Sequence, residues 1–162
     1  MFPDGHGDGA MYRLRMLLAG LLALAMSLVL SGETLASGKT KQPSGVNIRI
    51  DISSQSLVVD VGGRTYGRWK VSTAGQGYYT PRGAWRPYLL KKMHYSRKYD
   101  NSPMPHSIFF LGGYAIHATG HTKSLGRPAS HGCVRLHPQN AAKLYALVQK
   151  HGMKSTRVII TN

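Results

Sequence analysis

The chain has 162 residues, which corresponds to about one domain, and its 42% hydrophobic content argues against a disordered or collagen-like protein. Lys and Arg number 21 against 6 Asp and Glu, a formal net charge of +15. This charge favours a polyanionic partner, namely nucleic acid, an anionic membrane surface or an acidic bacterial wall.

The N-terminal residues have the pattern of a secretory signal. Arg13 and Arg15 precede an apolar run from Met16 to Leu30, and Ala36 is a small residue suited to precede a cleavage site. The run of about fifteen residues is short for a membrane-spanning helix, which needs about 20. We predict a signal peptide over residues 1–36, with an uncleaved signal anchor as the alternative. Either form places the following domain in the periplasm or cell envelope, where nucleic acid is not an expected partner.

Residues 37–45 are small and polar and include Pro and Gly, which predicts a linker before one domain over residues 46–162. Apolar and polar residues alternate from Val46 to Ile52, the two-residue period of a half-buried strand. A second strand over 57–61 and the following Gly62-Gly63 predict a hairpin with residues 64–73.

The middle of the chain alternates between turn-rich and apolar segments. Residues 74–83 predict a surface loop, and residues 84–90 predict a strand. The basic and aromatic stretch 91–105 predicts a long irregular excursion of the kind that often carries binding function. Gly112-Gly113 then lies between two apolar runs and predicts a second hairpin, Ser107–Leu111 with Tyr114–His117.

One helix and a final strand complete the pattern. Pro138 suits a first helical position, Ala141, Leu144, Tyr145 and Val148 fall on one helical face, and Gly152 suits the end. Residues 156–161 predict the last strand. Many short strands with one or two short helices indicate a mainly β domain, either a two-sheet sandwich or a partly closed barrel.

Cys133 is the single cysteine in the sequence, so no internal disulfide can form. A lone thiol in an exported protein indicates intermolecular pairing or a reactive function. A thiolate nucleophile needs a base nearby, and histidine suits that task because its ordinary pKa is close to neutrality. His117 ends a predicted strand and is the candidate base.

The residues around Cys133 suggest further roles. Gly132 permits a tight turn, and the N–H groups of Gly132 and Cys133 are candidates for an oxyanion hole. Arg135 follows Cys133 by two positions, which puts both side chains on one face of an extended segment. Its guanidinium suits a substrate carboxylate, or alternatively a structural ion pair or solvent.

At these residues the sequence resembles the L,D-transpeptidase catalytic domain family, also called the YkuD domain. His117 followed by Ser130-His131-Gly132-Cys133, in the context IH…LGRPASHGCVRL, matches the family's pattern. A weaker resemblance extends from about residue 46 to residue 160. The chain differs from many members at Arg135, where Asn is common, and at Ala118, where Gly or Ser is common.

The resemblance implies a peptidoglycan cross-linking enzyme without a cofactor or metal. Cys133 would attack a tetrapeptide stem after its third residue, typically diaminopimelate, and release D-Ala. The resulting thioester would pass to an amine of a second stem, giving a 3→3 cross-link. His117 would act as the base, with its ring oriented by the Ala118 carbonyl. The resemblance assigns His131 to shaping the site, and we predict that Ser130, His131 and Arg135 bind the substrate.

Several alternatives remain open at this point. Water as acceptor would make the protein an L,D-carboxypeptidase, and a lysine of an envelope protein would make it an anchoring enzyme. A wall-binding module without catalysis would use the basic and aromatic residues alone. Zinc accepts mixed His and Cys ligands, so a zinc site would draw on His117, His121, His131, Cys133 and His137. The sequence does not indicate an oligomeric state.

Overall fold

The computed structural model describes residues 45–162, so the predicted signal segment and nearly all of the predicted linker lie outside the described residues. Within this range no helix is both long and apolar enough to cross a membrane. The elements are eleven strands and one α-helix. In chain order they are β1 (Val46–Asp51), β2 (Ser56–Val61), β3 (Arg64–Ser72), β4 (Gly83–Trp85), β5 (Leu89–Lys91), β6 (Tyr95–Ser96), β7 (Ser102–Pro103), β8 (Ser107–Leu111), β9 (Tyr114–Ala118), β10 (Val134–Leu136), α1 (Pro138–His151) and β11 (Thr156–Thr161).

Nine of these strands form one continuous sheet in the order β4-β11-β1-β2-β3-β10-β9-β8-β5. The long strand β3 connects two groups, because it pairs antiparallel with β2 on one side and with β10 on the other. The fold is a mainly β, curled half-barrel with one helix. Of the two predicted architectures, the partly closed barrel is therefore the correct one.

Both predicted hairpins are present. Gly62 and Gly63 have φ angles of 57° and 79°, a left-handed conformation that glycine adopts without strain, and they join β2 to β3. The second hairpin pairs β8 with β9 in antiparallel register. Every side chain from Ala115 to Ala118 is buried, so β9 runs through the interior and carries His117 with it.

The helix α1 covers one face of the sheet. Its first residue is Pro138, and the buried residues Ala141, Leu144, Tyr145 and Val148 are the ones that the spacing predicts. Lys150 and His151 lie in the last turn, where cations stabilise the helix dipole. These apolar side chains join strand residues such as Ile48, Ile116 and Ile160 in one core.

Two predictions for the middle of the chain need correction. Residues 84–90 do not form one strand, because the chain forms β4 and β5 with Pro87 between them, and proline has no N–H for a ladder hydrogen bond. Residues 91–105 are not irregular throughout, since β6 and β7 pair as a separate two-stranded sheet. We call residues 94–104 the lid hairpin. His94 N–H donates to Met104 O and Met104 N–H to His94 O, at 3.3 and 2.7 Å, which closes its base.

Leu144→Ala should destabilise the domain by about 2–5 kcal/mol, because Leu144 is fully buried and its truncation leaves a cavity. Urea unfolding followed by circular dichroism measures this change. The neighbouring exposed substitution Lys143→Ala is the control and should stay within about 0.5 kcal/mol of wild type. Equal midpoints for the two variants would contradict the proposed packing of α1.

Candidate active site

Strand pairing brings His117 and Arg135 side by side. β9 and β10 are parallel neighbours, and their register places Arg135 directly opposite His117. Cys133 immediately precedes β10, so all three predicted residues meet at this pair of strands. The three side chains line one cavity of about 560 Å³, which the lid hairpin also walls.

The ring of His117 has a defined orientation. It is 6% exposed, and its Nδ1 lies 2.7 Å from the Ala118 carbonyl oxygen. A carbonyl oxygen can only accept, so Nδ1 carries the proton and donates it. Nε2 is consequently the nitrogen with the free lone pair. This hydrogen bond is the one that the sequence resemblance implied for Ala118.

A tight turn presents Cys133 to the cavity. Gly132 has φ of +127°, and a Cβ at this position would lie 2.8 Å from both the Tyr79 carbonyl oxygen and the Tyr114 ring. Ser130 Oγ donates to the Cys133 carbonyl oxygen at 2.6 Å and accepts from the Gly132 N–H at 3.0 Å. Only glycine fits this turn, and the Ser130 hydroxyl holds it closed.

These hydrogen bonds bear on two of the predicted roles. The Gly132 N–H already has a partner, which leaves the Cys133 N–H as the turn's remaining candidate for an oxyanion hole. Ser130 is 1% exposed with its hydroxyl committed to the turn. The role of Ser130 in substrate binding stays a prediction. The hydrogen bonds of its hydroxyl are made to backbone groups of the turn itself.

Thr80 supports the same turn, and sequence reasoning did not select it. Its Oγ1 donates to the Gly132 carbonyl oxygen at 2.8 Å and accepts from the Ala74 N–H at 3.0 Å. The predicted surface loop 74–83 is thereby attached to the turn before Cys133. No local pattern marks Thr80, because its partner Gly132 is 52 positions away in the sequence.

His131 lies between two tyrosine rings. Its ring centroid is 4.5 Å from that of Tyr78 and 4.5 Å from that of Tyr99, the latter in a stacked arrangement. Tyr99 belongs to the lid hairpin, so this stack connects the lid to the turn that carries Cys133. His131 also borders the cavity.

Arg135 has no carboxylate partner in the described part of the chain. Its Nη1 donates to the Ala129 carbonyl oxygen at 3.0 Å, and the only ion pair within residues 45–162 joins Arg49 to Asp60. The guanidinium is half-buried and borders the cavity beside Cys133. The structural ion pair considered for Arg135 is therefore wrong within residues 45–162, and its substrate-binding role stays a prediction.

Comparison with known proteins identifies the family. Residues 45–160 match the family model of the L,D-transpeptidase catalytic domain, YkuD. The chain belongs to this family. The predicted resemblance is confirmed, and no curated protein matches the sequence.

Solved L,D-transpeptidases have similar folds. One from Stackebrandtia nassauensis is 30% identical with a TM-score of 0.64, over 73% of this chain and 56% of that one. One from Xylanimonas cellulosilytica is 30% identical with a TM-score of 0.59, over 73% and 61%. A third, from Mycobacterium smegmatis, is 23% identical with a TM-score of 0.65, over 73% and 59%, and shows the fold alone. This L,D-transpeptidase domain thus spans less than two thirds of the length of each of these chains.

Burial determines the protonation states of the His117 and Cys133 side chains. The pKa of His117 is lowered to about 4, chiefly by desolvation and to a smaller extent by the charges of Arg135 and His94, while the hydrogen bond to Ala118 opposes this shift. Burial also raises the pKa of the Cys133 thiol, whereas the Ala115 backbone hydrogen bond and the Arg135 charge oppose that rise. At neutral pH the resting site therefore holds a neutral imidazole and a neutral thiol.

The candidate zinc ligands do not assemble. Within residues 45–162 no group of three His, Cys, Asp or Glu side chains is positioned to hold a metal ion. His121 lies on a loop at the cavity edge, before a short 3-10 turn over Thr122–Ser124. His137 immediately precedes α1 and is not part of the cavity wall.

Thr80→Val should destabilise the domain by about 1–3 kcal/mol for each buried group that it leaves without a partner, namely the Gly132 carbonyl and the Ala74 N–H. Thr80→Ser keeps the hydroxyl and is the matched control, with a much smaller loss expected. Urea unfolding monitored by circular dichroism compares the two. If Thr80→Val and Thr80→Ser unfold alike, the hydroxyl does not hold the turn.

Proposed function

We propose that this protein is an exported peptidoglycan L,D-transpeptidase that uses Cys133 as its nucleophile and His117 as its base. The main support for the proposal is that Cys133, His117 and Arg135 line one cavity in a domain of this family. The acceptor in this proposal is an amine of a second stem peptide, in the bacterial envelope. The strongly basic chain suits that anionic surrounding.

Acylation begins from the neutral thiol. As Sγ attacks the carbonyl carbon between the third stem residue and D-Ala, the thiol proton moves to Nε2 of His117. The C–S bond forms, the C–N bond breaks, and the proton on Nε2 passes to the amine of the departing D-Ala. The Nδ1–H bond to the Ala118 carbonyl stabilises the imidazolium during this exchange. The Cys133 N–H is the backbone donor for the developing oxyanion.

Transfer to the acceptor reverses the proton movements. The amine of a second stem attacks the thioester carbonyl, its proton goes to Nε2, and the C–S bond breaks. The proton then returns from His117 to Sγ and regenerates the thiol. A side-chain amine of diaminopimelate as acceptor gives the 3→3 cross-link.

Arg135 couples substrate binding to the base. Its positive charge lies close enough to His117 to lower the pKa of that residue. A substrate carboxylate bound to the guanidinium through paired hydrogen bonds neutralises this charge. The imidazolium then becomes easier to form, although burial remains the larger cause of the low pKa. Binding of the substrate carboxylate thus favours the transfer of the thiol proton to His117.

Cys133→Ala should abolish product formation when the purified full chain is incubated with disaccharide-tetrapeptides, because no acyl-enzyme can form. Mass spectrometry of the muropeptides gives the readout. The wild-type protein should yield a dimer that lacks one D-Ala and resists a D,D-endopeptidase. Tripeptide without dimer would identify water as the acceptor. An active Cys133→Ala protein, or full inhibition of the wild type by a chelator, would refute the cysteine mechanism.

The acid limb of kcat/KM should lie near pH 4, because the neutral His117 imidazole persists down to its pKa of about 4. Release of D-Ala measured between about pH 3.5 and 8 tests this, and an inflection near the ordinary histidine value of about 6.5 would contradict it. The depressed pKa also means that His117's contribution to stability, complete above about pH 6.5, is lost as pH falls toward 4. Circular dichroism at each pH is therefore the control for unfolding.

A further inference from the structure

The lid hairpin contributes cations to the cavity that the proposed chemistry does not use. Arg97 and Lys98 belong to the cavity wall, as does Arg135 on the strand side. No Asp or Glu is among the wall residues of the described chain. The cavity therefore has positive side chains on the lid as well as beside Cys133.

Carboxylates elsewhere in residues 45–162 do not compensate for this charge. Asp60 pairs with Arg49, and Asp51 accepts hydrogen bonds from Ser53 and Ser54. Asp100 follows Tyr99 in the lid hairpin but is exposed and outside the cavity wall. The positive charge of the cavity is left for a ligand to neutralise.

The lid cations act on the interior of the cavity. Burial lowers the pKa of His94, which also borders the cavity, and the charges of Lys91 and Arg97 contribute to the same shift. Lys98 Nζ lies 5.4 Å from the centroid of the Tyr99 ring, the ring that stacks on His131. Lys98 thus lies near the lid's contact with the turn that carries Cys133, whereas Arg97 lies near His94 in the cavity wall.

We propose that Arg97 and Lys98 form a second carboxylate subsite, which makes the enzyme prefer stems with a free diaminopimelate side-chain carboxyl over stems in which this group is an amide. This inference rests on the proposed function, in which the Arg135 guanidinium binds a substrate carboxylate. A diaminopimelate residue carries a further carboxylate at the far end of its side chain. Amidation removes that charge and replaces one of the two acceptor oxygens by an NH₂ donor, so the two cations bind the amide less strongly than the carboxylate.

The test uses two tetrapeptide donors that differ only in this carboxyl or carboxamide group. D-Ala release by the full chain measures donor use whichever acceptor follows. Wild type should prefer the free acid by several-fold and at most roughly thirtyfold in kcat/KM, the upper limit expected for two exposed charge pairs. Arg97→Gln/Lys98→Gln should reduce this preference to about twofold or less, mainly through slower use of the free acid.

Arg68→Gln/Lys70→Gln is the matched control, because it removes one Arg and one Lys charge from exposed side chains of β3 that lie outside the cavity wall. It should keep the wild-type preference. Equal use of both donors by wild type, or an equal loss of preference in the two double variants, would overturn the subsite and leave the proposed function standing. Release of D-Ala from neither donor would refute the proposed function and the subsite with it.

Discussion

The parallel pairing of β9 with β10 is the constraint on which the rest of the site depends. Its register sets His117 opposite Arg135 and starts β10 one residue after Cys133. Both strands are hydrogen-bonded to a neighbour on each side, so the sheet fixes the positions of the three side chains relative to one another. The turn at Gly132 then delivers Cys133 to the cavity, and Ser130 and Thr80 hold that turn from inside. A reactive group held in this way loses little conformational entropy when a substrate binds.

Burial and uncompensated positive charge together define the chemistry that the cavity can support. The desolvated His117 and Cys133 are both neutral at rest, which keeps a basic imidazole available at neutral pH without a permanently exposed thiolate. Arg135 and the lid cations surround this pair with positive charge that no carboxylate of the described chain cancels. In the proposed function, an anionic stem peptide supplies the missing charge, so binding and proton transfer favour each other.

Most of the fold could be predicted from the sequence wherever one local period or one turn residue decides the structure. The two-residue alternation from Val46, the Gly62-Gly63 turn and the apolar face of α1 each correspond to an observed element. The prediction was wrong where the strands are only two or three residues long. Pro87 divides the strand predicted over 84–90, and β6 and β7 pair within a stretch that has no apolar period. A two-residue strand carries too few side chains for a period to be visible.

The sequence by itself determined the family and the candidate catalytic side chains, since one cysteine in a Ser-His-Gly-Cys motif with an upstream histidine is a local pattern. Only the tertiary structure decided which groups contact these side chains and which charges surround them. The bond from Thr80 to Gly132, the stack of Tyr99 on His131 and the absence of a carboxylate near Arg135 within residues 45–162 all join segments far apart in the chain. Contacts of this kind, and the burial that shifts the pKa of His117, arise only when the sheet curls and the lid hairpin closes over it.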